Sequence, residues 1–271
     1  MDNFGTVLTS GQNPRVKNVV KLRQRRMRDS SELFLIEGYR EILRAVGAGV
    51  AIEQMFVCPE FFLGTNERAL LADVSSRQHP EFFHCREHVF QKISYRDRPD
   101  GLLAVAKQKH RSLQDLELVK NPFLVVAEAI EKPGNLGTIL RSSDAVGVDG
   151  VIVCDRCTDV YNPNVVRASV GTLFTVPVVE SSSEEVLCWL RKHGIAIVAS
   201  TPSADSDYTE VDLTGPIALG VGTEQLGLSD QWLRQADIKV KIPMRGVADS
   251  LNVAMATTVL LYEAIRQRGL L

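Results

Sequence analysis

The sequence has little of what secreted and membrane proteins need. Its 271 residues contain no run of about 18 uncharged apolar residues, and the first 18 lack the basic, apolar and small-residue succession of a secretory signal. Internal repeats and low-complexity segments are also absent. A hydrophobic fraction of 45% with 24% charged residues is typical of a folded globular chain. These features predict a cytoplasmic protein without a membrane partner, built from one large domain or two ordinary ones.

Cysteine is scarce, and its spacing excludes a disulfide framework. The five cysteines are odd in number and scattered, as in proteins whose thiols stay reduced. Cys154 and Cys157 form a CxxC pair, but a zinc site needs a second CxxC or paired histidines nearby. None of the five histidines stands at ligand spacing. We therefore expect buried cysteines at the end of a strand and no metal.

Charge is divided unequally along the chain, although the net charge is only −2. Residues 1–111 contain 18 Lys+Arg and 13 Asp+Glu, for a net charge of +5, whereas residues 112–271 contain 13 and 20, for −7. A basic run without an intervening acid comprises Arg15, Lys17, Lys21, Arg23, Arg25, Arg26 and Arg28. Such a run predicts a surface for nucleic-acid phosphates. It is equally typical of a solvated helix face.

The pattern of apolar residues changes near residue 110. Residues 33–107 alternate short strands and helices, which predicts a small α/β domain. Later strands are nearly continuous in apolar residues and are separated by helical patterns, which is typical of a parallel sheet covered on both faces. The polar stretch between the two patterns reads as a linker. The predicted divisions are residues 1–107, a linker at 108–121, and residues 122–271.

Three loops that follow strands of the second region are rich in glycine, asparagine and charged residues. They are EKPGNLGTILR at 131–141, GVGTEQLGLSD at 220–230 and PMRGVADSLN at 243–252. Parallel sheets bind ligands where loops leave the carboxyl ends of strands, so these loops predict a ligand site. The glycine spacing of the first loop fits neither a P-loop nor a dinucleotide-binding motif, which disfavours a nucleotide-binding protein of those classes.

Each loop contains a polar side chain suited to such a site. Arg141 can reach the ligand crevice from the first turns of its helix, or it can pair with Asp144 on the surface. Glu224 can cap the next helix, hold the first loop or accept a hydrogen bond from a ligand, and of these we favour a scaffold role. In the third loop we expect Ser250 to be the N-cap of the last helix and Asn252 to lie in its first turn.

The last helical pattern is apolar on nearly every side. Between Leu251 and Ile265 the only charged residue is Glu263, and the polar residues before it are small. One side of such a helix can cover the chain's own sheet, but the other needs another layer. A second copy of the chain supplies that layer most economically, so we predict a homodimer through the C-terminal domain.

Together, the three loops resemble the SpoU branch of the SPOUT RNA 2′-O-ribose methyltransferases, the TrmH-like family that acts on ribosomal and transfer RNA. The motifs that carry the resemblance are Pro133, Gly134, Asn135, Gly137, Arg141 and Gly147; Gly222, Glu224 and Gly227; and Ile242, Pro243, Met244, Ser250, Leu251, Asn252 and Val253. Residues 11–107 look like the L30e-like substrate-binding domain of many relatives. The chain departs from the family pattern at Lys132, Val146, Thr223 and Gln225.

The resemblance implies a C-terminal parallel-sheet SPOUT domain with a deep trefoil knot, preceded by a smaller α/β domain. It implies S-adenosylmethionine as cofactor, held at Thr201, Gly222, Ile242, Met244 and Leu251. It assigns the catalytic site to Asn135, Arg141, Glu224, Ser250 and Asn252, without a metal. It also implies a homodimer in which Arg167 reaches the partner's site and contacts RNA.

The function implied is S-adenosylmethionine-dependent methylation of a ribose 2′-hydroxyl, with large-subunit ribosomal RNA of the 23S type as the expected partner. The alternatives are a tRNA 2′-O-methyltransferase and a non-catalytic RNA-binding or ribosome-assembly factor of the same fold. The basic run gains weight as an RNA-binding surface in this context, because a region of net charge −7 is ill suited to hold RNA alone.

Overall fold

A computed structural model describes residues 5–155 and 158–270 of the chain. The chain forms two compact units. The first contains Met1–Lys109 and Tyr161–Thr175, and the second contains His110–Val160 and Val176–Leu271. None of the described helices is long and apolar enough to cross a membrane.

Helices and strands alternate along most of the chain. They are β1 (Thr6–Leu8), α1 (Pro14–Lys21), α2 (Arg25–Ser31), β2 (Leu33–Glu37), α3 (Tyr39–Gly47), β3 (Ile52–Val57), α4 (Glu67–Gln78), β4 (Glu81–Cys85), α5 (Glu87–Ile93), β5 (Leu102–Lys107), β6 (Phe123–Glu128), α6 (Pro133–Val146), β7 (Gly150–Cys154), α7 (Pro163–Ala168), β8 (Val178–Ser181), α8 (Ser183–Lys192), β9 (Ala196–Ser200), β10 (Ser206–Asp207), β11 (Ile217–Val221), α9 (Asp230–Gln235), β12 (Ile238–Lys241) and α10 (Val253–Gln267).

The first unit is built on a mixed sheet of five strands in the order β1-β4-β3-β5-β2. β1, β4 and β3 are parallel, whereas β5 is antiparallel to both of its neighbours. The rings of Phe56, on β3, and Phe83, on β4, stack on each other with their centroids 4.9 Å apart. The basic run forms α1 and α2, and α1 buries Val16 and Val19 against this core. The predicted small α/β domain is therefore present. Two further helices, α1 and α2, precede residues 33–107, for which alternating strands and helices were predicted.

One segment after β7 groups with the first unit, whereas the sequence predicts it as part of residues 122–271. The hydroxyl of Tyr161 accepts a hydrogen bond from the Lys109 backbone nitrogen at 2.8 Å and donates to its carbonyl oxygen at 2.6 Å. The Tyr161 ring also packs on Phe34, with centroids 4.5 Å apart. These contacts, between residues more than 50 positions apart, explain why Tyr161–Thr175 belongs to the first unit.

The second unit contains a sheet of seven strands, all parallel, in the order β10-β12-β9-β11-β6-β7-β8. Every residue of β6, β7 and β11 is buried, as expected of strands covered on both faces. The predicted parallel sheet is confirmed. The sequence pattern does not reveal β8 and β10, because they are short and mostly half-buried. The trefoil knot stays a prediction of the resemblance.

The cysteines of the described residues are free thiols. Cys154 lies at the buried end of β7, as the sequence predicts, whereas Cys157 lies outside the described residues. Cys58 and Cys85 are also buried, and burial raises the pKa of each thiol to about 12. Cys188 is exposed on α8. In the described part of the chain, no three residues of metal-binding type are grouped so as to hold a metal ion.

The N-terminus of α10 differs from the prediction. The N-cap is Asn252, whose side-chain oxygen accepts a hydrogen bond from the Ala254 backbone nitrogen at 3.0 Å. The prediction that Ser250 is the cap is wrong, because Asn252 itself is still extended and the helix begins only at Val253. Ser250 is exposed, and its hydroxyl instead donates to Asp249 at 3.1 Å.

Helix α10 buries one face in the second unit and leaves part of its surface exposed. Leu260, Leu261 and Ala264 are at most 1% exposed, whereas Met255 and Tyr262 are 63% and 43% exposed. On another side, α10 packs on α6, where the hydroxyls of Ser142 and Thr258 are hydrogen-bonded at 2.7 Å. The helix is thus apolar both where it is covered and where it is not, as the sequence indicates.

Candidate active site

A cavity of about 370 Å³ lies at the carboxyl ends of β9, β11 and β12. Because β12, β9 and β11 are neighbouring parallel strands, the loops that follow them leave the sheet at the same edge. The volume is within the range of pockets for small molecules. The lining residues are 200–202, 221–227, Ile242, Met244, 249–251, Val253 and Ala256.

The loop after β11 turns sharply at the cavity wall. Thr223 and Gly227 exchange two backbone hydrogen bonds, each 3.0 Å long, so that the loop folds back on itself. A Cβ atom on Gly222 would lie 2.1 Å from the carbonyl oxygen of Gly227, which no side chain tolerates without a shift of the backbone. Gly227 itself has a φ of +68°, which favours glycine. The two glycines therefore permit the turn that forms this wall.

Three of the predicted catalytic side chains meet, one from each of the three loops. The side-chain amide of Asn135 donates to Oε1 of Glu224, and the amide of Asn252 donates to Oδ1 of Asn135 at 3.1 Å. Glu224 thus holds the first loop, which is the scaffold role favoured from the sequence. It does not cap α9, whose first turn is held by Glu128 through the Ser229 backbone nitrogen at 2.7 Å.

The second carboxylate oxygen of Glu224 is available to a ligand. This Oε2 atom is buried and has no hydrogen-bond partner within residues 5–155 and 158–270. Glu224 is also one of the lining residues of the cavity. A buried carboxylate oxygen without a donor is costly, and a hydroxyl or ammonium group in the cavity would remove that cost.

All five residues predicted to hold the cofactor line the cavity, namely Thr201, Gly222, Ile242, Met244 and Leu251. The backbone nitrogen of Thr201 donates to the Val240 carbonyl oxygen at 2.9 Å, which joins the loop after β9 to β12. The structure adds lining residues that were not predicted, among them Leu226 and Asp249. The two residues lie inside the second and third predicted loops, respectively, and this position is the feature of the sequence from which they could have been predicted.

Arg141 and Ser250 have different positions relative to the cavity. Ser250 is exposed and lines it. Arg141 is exposed on α6, six residues after Asn135, and is not among the lining residues. Six residues correspond to about 9 Å along a helix. Within one chain, the structure therefore brings Asn135, Glu224 and Asn252 together, whereas Arg141 is not among the residues that line the cavity.

Two arginines of the basic run are structural. Arg28 is 1% exposed, and its guanidinium donates to the carbonyl oxygens of Leu22 and Arg23, each at 2.8 Å. The guanidinium of Arg23 donates to three consecutive carbonyl oxygens, those of residues 92–94, at 2.7–3.0 Å. Both side chains satisfy backbone groups that have no helical partner. The sequence could not separate them from their exposed neighbours.

The other predicted RNA contacts lie on the surface of the first unit. Arg15 pairs with Glu81 at 2.7 Å, and Arg25 is 3.5 Å from Asp29. The exposed members of the basic run are Lys17, Lys21, Arg25 and Arg26. Arg167 is exposed on α7, which also belongs to the first unit.

The parallel sheet and its carboxyl-edge cavity define an α/β protein that binds a small ligand. The model of the SpoU rRNA Methylase family matches residues 122–262, and the model of the MRM3-like substrate binding domain matches residues 13–104. This chain belongs to the SpoU rRNA methylase family.

Several known proteins are similar to the chain over most of its length. It is 34% identical to a 23S rRNA (uridine(2479)-2′-O)-methyltransferase of Streptomyces viridochromogenes, over 91% of this chain and 87% of that protein. It is 27% identical to the 23S rRNA (guanosine(2553)-2′-O)-methyltransferase RlmP of Bacillus subtilis (strain 168), over 94% and 97%.

Solved structures are similar to both units. A crystal structure of an RNA 2′-O ribose methyltransferase is 42% identical, with a TM-score of 0.87, and the match covers 97% of this chain and 99% of that one. An AdoMet-bound rRNA methyltransferase from Sinorhizobium meliloti is 31% identical, also with a TM-score of 0.87, over 96% and 97%.

Proposed function

We propose that this protein uses S-adenosylmethionine to methylate a ribose 2′-hydroxyl in large-subunit ribosomal RNA of the 23S type. The observation that carries the proposal is a cavity lined by the loops after β9, β11 and β12, to which the Asn252–Asn135–Glu224 chain of hydrogen bonds joins the loop after β6. The names of the relatives support RNA as the substrate, and the family match supports the reaction class.

The residues at the cavity fit the cofactor. Ile242, Met244 and Leu251 offer apolar contacts that suit an adenine ring. The buried Oε2 of Glu224 can accept a hydrogen bond from a hydroxyl or an ammonium group. S-adenosylmethionine, when bound, supplies a methyl group on a positively charged sulfur. The carboxylates of Glu224 and Asp249 give the cavity wall a charge that complements this group.

We propose that Arg141 stabilises the negative charge that develops on the ribose 2′-oxygen. A guanidinium keeps its proton in proteins, so we propose that it acts by electrostatic stabilisation and not as a general base. The hydroxyl proton then leaves to water or to an adjacent phosphate. Asn135 and Asn252 are hydrogen-bonded to each other and hold the loop that precedes Arg141 in the sequence. Ser250 lines the cavity, where it can contact a ligand.

The two units have separate tasks in this proposal. The first unit, with the exposed basic residues of α1 and α2, holds RNA, and the second carries out the transfer. The exposed apolar residues of α10, Met255 and Tyr262, support a homodimer through the C-terminal domain. An enzyme with this substrate works in the cytoplasm, where ribosomal RNA is found.

The test of the reaction uses the full chain with S-adenosylmethionine labelled in its methyl group. Unmodified transcripts of 23S-type rRNA and of tRNA serve as substrates, and resistance to alkaline cleavage locates each 2′-O-methyl group. We expect one site in the ribosomal transcript. Methylation of tRNA alone would favour the tRNA enzyme, and cofactor binding without methylation of either RNA would favour the non-catalytic factor.

The test of the cofactor site is a pair of glycine variants. Gly222→Ala places a Cβ atom against the Gly227 backbone, so we expect S-adenosylmethionine binding, measured by calorimetry, to be lost. Gly215→Ala is the matched control, because a Cβ atom there meets nothing within 4 Å. Equal binding by the two variants would contradict the proposed site.

A further inference from the structure

A loop of the first unit is held rigidly by a buried carboxylate. Glu37 is 8% exposed and accepts hydrogen bonds from the Ser94 hydroxyl at 2.5 Å and from the Tyr95 backbone nitrogen at 2.6 Å. Arg96 donates to the Glu37 carbonyl oxygen at 2.8 Å and to the carboxylate of Glu41 at 2.6 Å. The backbone on both sides of Tyr95 is therefore fixed by charge-assisted hydrogen bonds.

The Tyr95 side chain is exposed although its backbone is anchored. It is 37% exposed, and Tyr262, in the second unit, is the other large aromatic side chain exposed in the described part of the chain. The Tyr95 hydroxyl accepts a hydrogen bond from the Asn164 side-chain amide at 3.2 Å. Both ends of the side chain are thus held, and the exposed part of the ring loses little further freedom when it binds a ligand.

One guanidinium group lies near this ring, and a second arginine lines the same cavity as Tyr95. Cζ of Arg23 lies 5.6 Å from the ring centroid, and Arg23 is itself held by three backbone carbonyl oxygens. Arg167 and Tyr95 line the same small cavity. Arg23 lies two residues after the end of α1, so the ring adjoins the segment that carries the exposed basic residues.

We propose that Tyr95 is a base-stacking residue that binds an unpaired nucleobase of the RNA substrate. Single-stranded bases stack on tyrosine rings and on guanidinium planes, and the nearby charges attract the phosphates beside the stacked base. The positive neighbours disfavour a cationic ligand, which an exposed tyrosine could otherwise bind through its ring. The inference rests on the proposed function, because it assigns a contact to the RNA that the enzyme modifies.

The experiment compares Tyr95→Ala, Tyr95→Phe and Leu63→Ala in the full chain. Leu63 is an exposed apolar residue of the same unit, at 83%, and serves as the control for the loss of apolar surface. RNA binding is measured with the 23S-type transcript over a series of salt concentrations. Thermal unfolding followed by circular dichroism shows that each variant is folded. Ultraviolet cross-linking of the wild-type chain to the transcript gives a measurement that needs no variant.

We expect Tyr95→Ala to weaken RNA binding about 5- to 150-fold, which is the usual range for the loss of one base stack. Tyr95→Phe keeps the ring and should bind within about threefold of the wild type. The salt dependence of Tyr95→Ala should match that of the wild type, because a tyrosine releases no counterions when it binds. The cross-linked peptide should contain Tyr95.

The inference is overturned if Tyr95→Ala binds RNA as Leu63→Ala does, or if Tyr95→Phe loses as much affinity as Tyr95→Ala. If a variant does not fold, the cross-linking experiment is the test. A cross-linked peptide that does not contain Tyr95 overturns the inference as well. Failure of the proposed function has a different signature: the wild-type chain then methylates neither transcript. If the wild-type chain methylates the transcript and Tyr95→Ala binds RNA as the wild type does, only the stacking contact is ruled out.

Discussion

The two sheets of this protein differ in direction, and they offer two kinds of surface. In the second unit all seven strands are parallel, so the loops after three neighbouring strands meet at one edge and enclose a cavity. In the first unit β2 and β5 are antiparallel, and the proposed RNA contacts come from helices and from the loop after α5. A parallel sheet thus concentrates a site at one edge, whereas a mixed sheet leaves its binding groups dispersed.

Arginines fix turns in both units. In the first unit Arg23, Arg28 and Arg96 donate to backbone carbonyl oxygens. In the second unit Arg268 donates to three backbone carbonyl oxygens, whereas the cavity wall contains no arginine among the described residues and Arg141 stands exposed on α6. Positive charge in the sequence therefore says little about which side chains meet a ligand.

The largest effect that we expect separates chemistry from binding within the second unit. Arg141→Ala should lower the rate of methylation by about 10²- to 10³-fold, the usual cost of removing one group that stabilises transition-state charge. S-adenosylmethionine binding, measured by calorimetry, should survive. Arg141→Lys should also fail if the planar fork of the guanidinium is required.

The control for this variant is Arg234→Ala on α9. Arg234 is an exposed arginine of the same unit, 3.8 Å from Asp230 and outside the cavity. Its loss should leave the rate of methylation near that of the wild type. Near-normal turnover by Arg141→Ala would contradict the role proposed for Arg141.

The next effect distinguishes structural from surface arginines on α2. Arg28→Ala leaves two carbonyl oxygens, one in a buried and one in a partly buried hydrogen bond, without their charged donor, and the free energy of unfolding of the first unit should fall by about 3 kcal/mol. Arg26→Ala, two residues away and exposed, should change it by less than about 0.5 kcal/mol. Urea unfolding of both variants measures the difference. Equal destabilisation would refute the distinction.

A smaller effect tests the surface of the first unit as an RNA contact. Replacing Lys17, Lys21 and Arg26 together by glutamine removes three exposed charges. We expect RNA affinity to fall about 10- to 100-fold at physiological salt, and the slope of log affinity against log salt to shrink by about 0.7–0.9 for each phosphate that is no longer neutralised. S-adenosylmethionine affinity should be unchanged, because the proposed cofactor site is in the other unit.

The comparison variant for this surface is Arg77→Gln on α4. Arg77 is also exposed, but it pairs with Asp73 at 2.6 Å and lies on a helix that contains no residue of the basic run. RNA binding should be nearly insensitive to its loss. A triple variant with the wild-type salt dependence would place the RNA-binding surface of the first unit elsewhere.

The smallest effect concerns the buried carboxylate beneath Tyr95. Burial raises the pKa of Glu37 above its usual value, and the hydrogen bonds from Ser94 and Tyr95 offset this only in part. The stabilising contribution of this group is therefore complete below about pH 4.5, the ordinary pKa of a glutamate, and is lost as the pH rises through the raised pKa of the folded state.

Glu37→Gln cannot ionise, so its free energy of unfolding should decline less between pH 4.5 and pH 8 than that of the wild type. The glutamine can keep both hydrogen bonds, because its oxygen accepts from the Tyr95 nitrogen and its amide donates to the Ser94 hydroxyl. Urea unfolding at several pH values measures the difference, with Glu53→Gln on β3 as the control. A parallel pH dependence for Glu37→Gln and the wild type would contradict this account.

Much of the second unit could be predicted from the sequence. Long apolar runs such as β6 and β7 leave little choice but a sheet covered on both faces, and the loops after β6, β11 and β12, which contain glycine, mark the ligand edge. The short strands β8 and β10 gave no such signal, because a few half-buried residues carry no period. The N-cap of α10 was misplaced by two residues, since Ser250 and Asn252 are equally good caps by residue type.

By itself, the sequence determined five of the parallel strands of the second unit, two of the loops that line its cavity and the uneven charge of the two regions, because these depend on residue type and local order. Only the tertiary structure decided that Arg28 is buried, that Asn135 joins Glu224 to Asn252, and that Tyr161–Thr175 belongs to the first unit. The last two depend on contacts between residues far apart in the chain. The first depends on how the turn between α1 and α2 is folded, because that fold buries Arg28 while Arg26 stays exposed. No local pattern encodes such contacts.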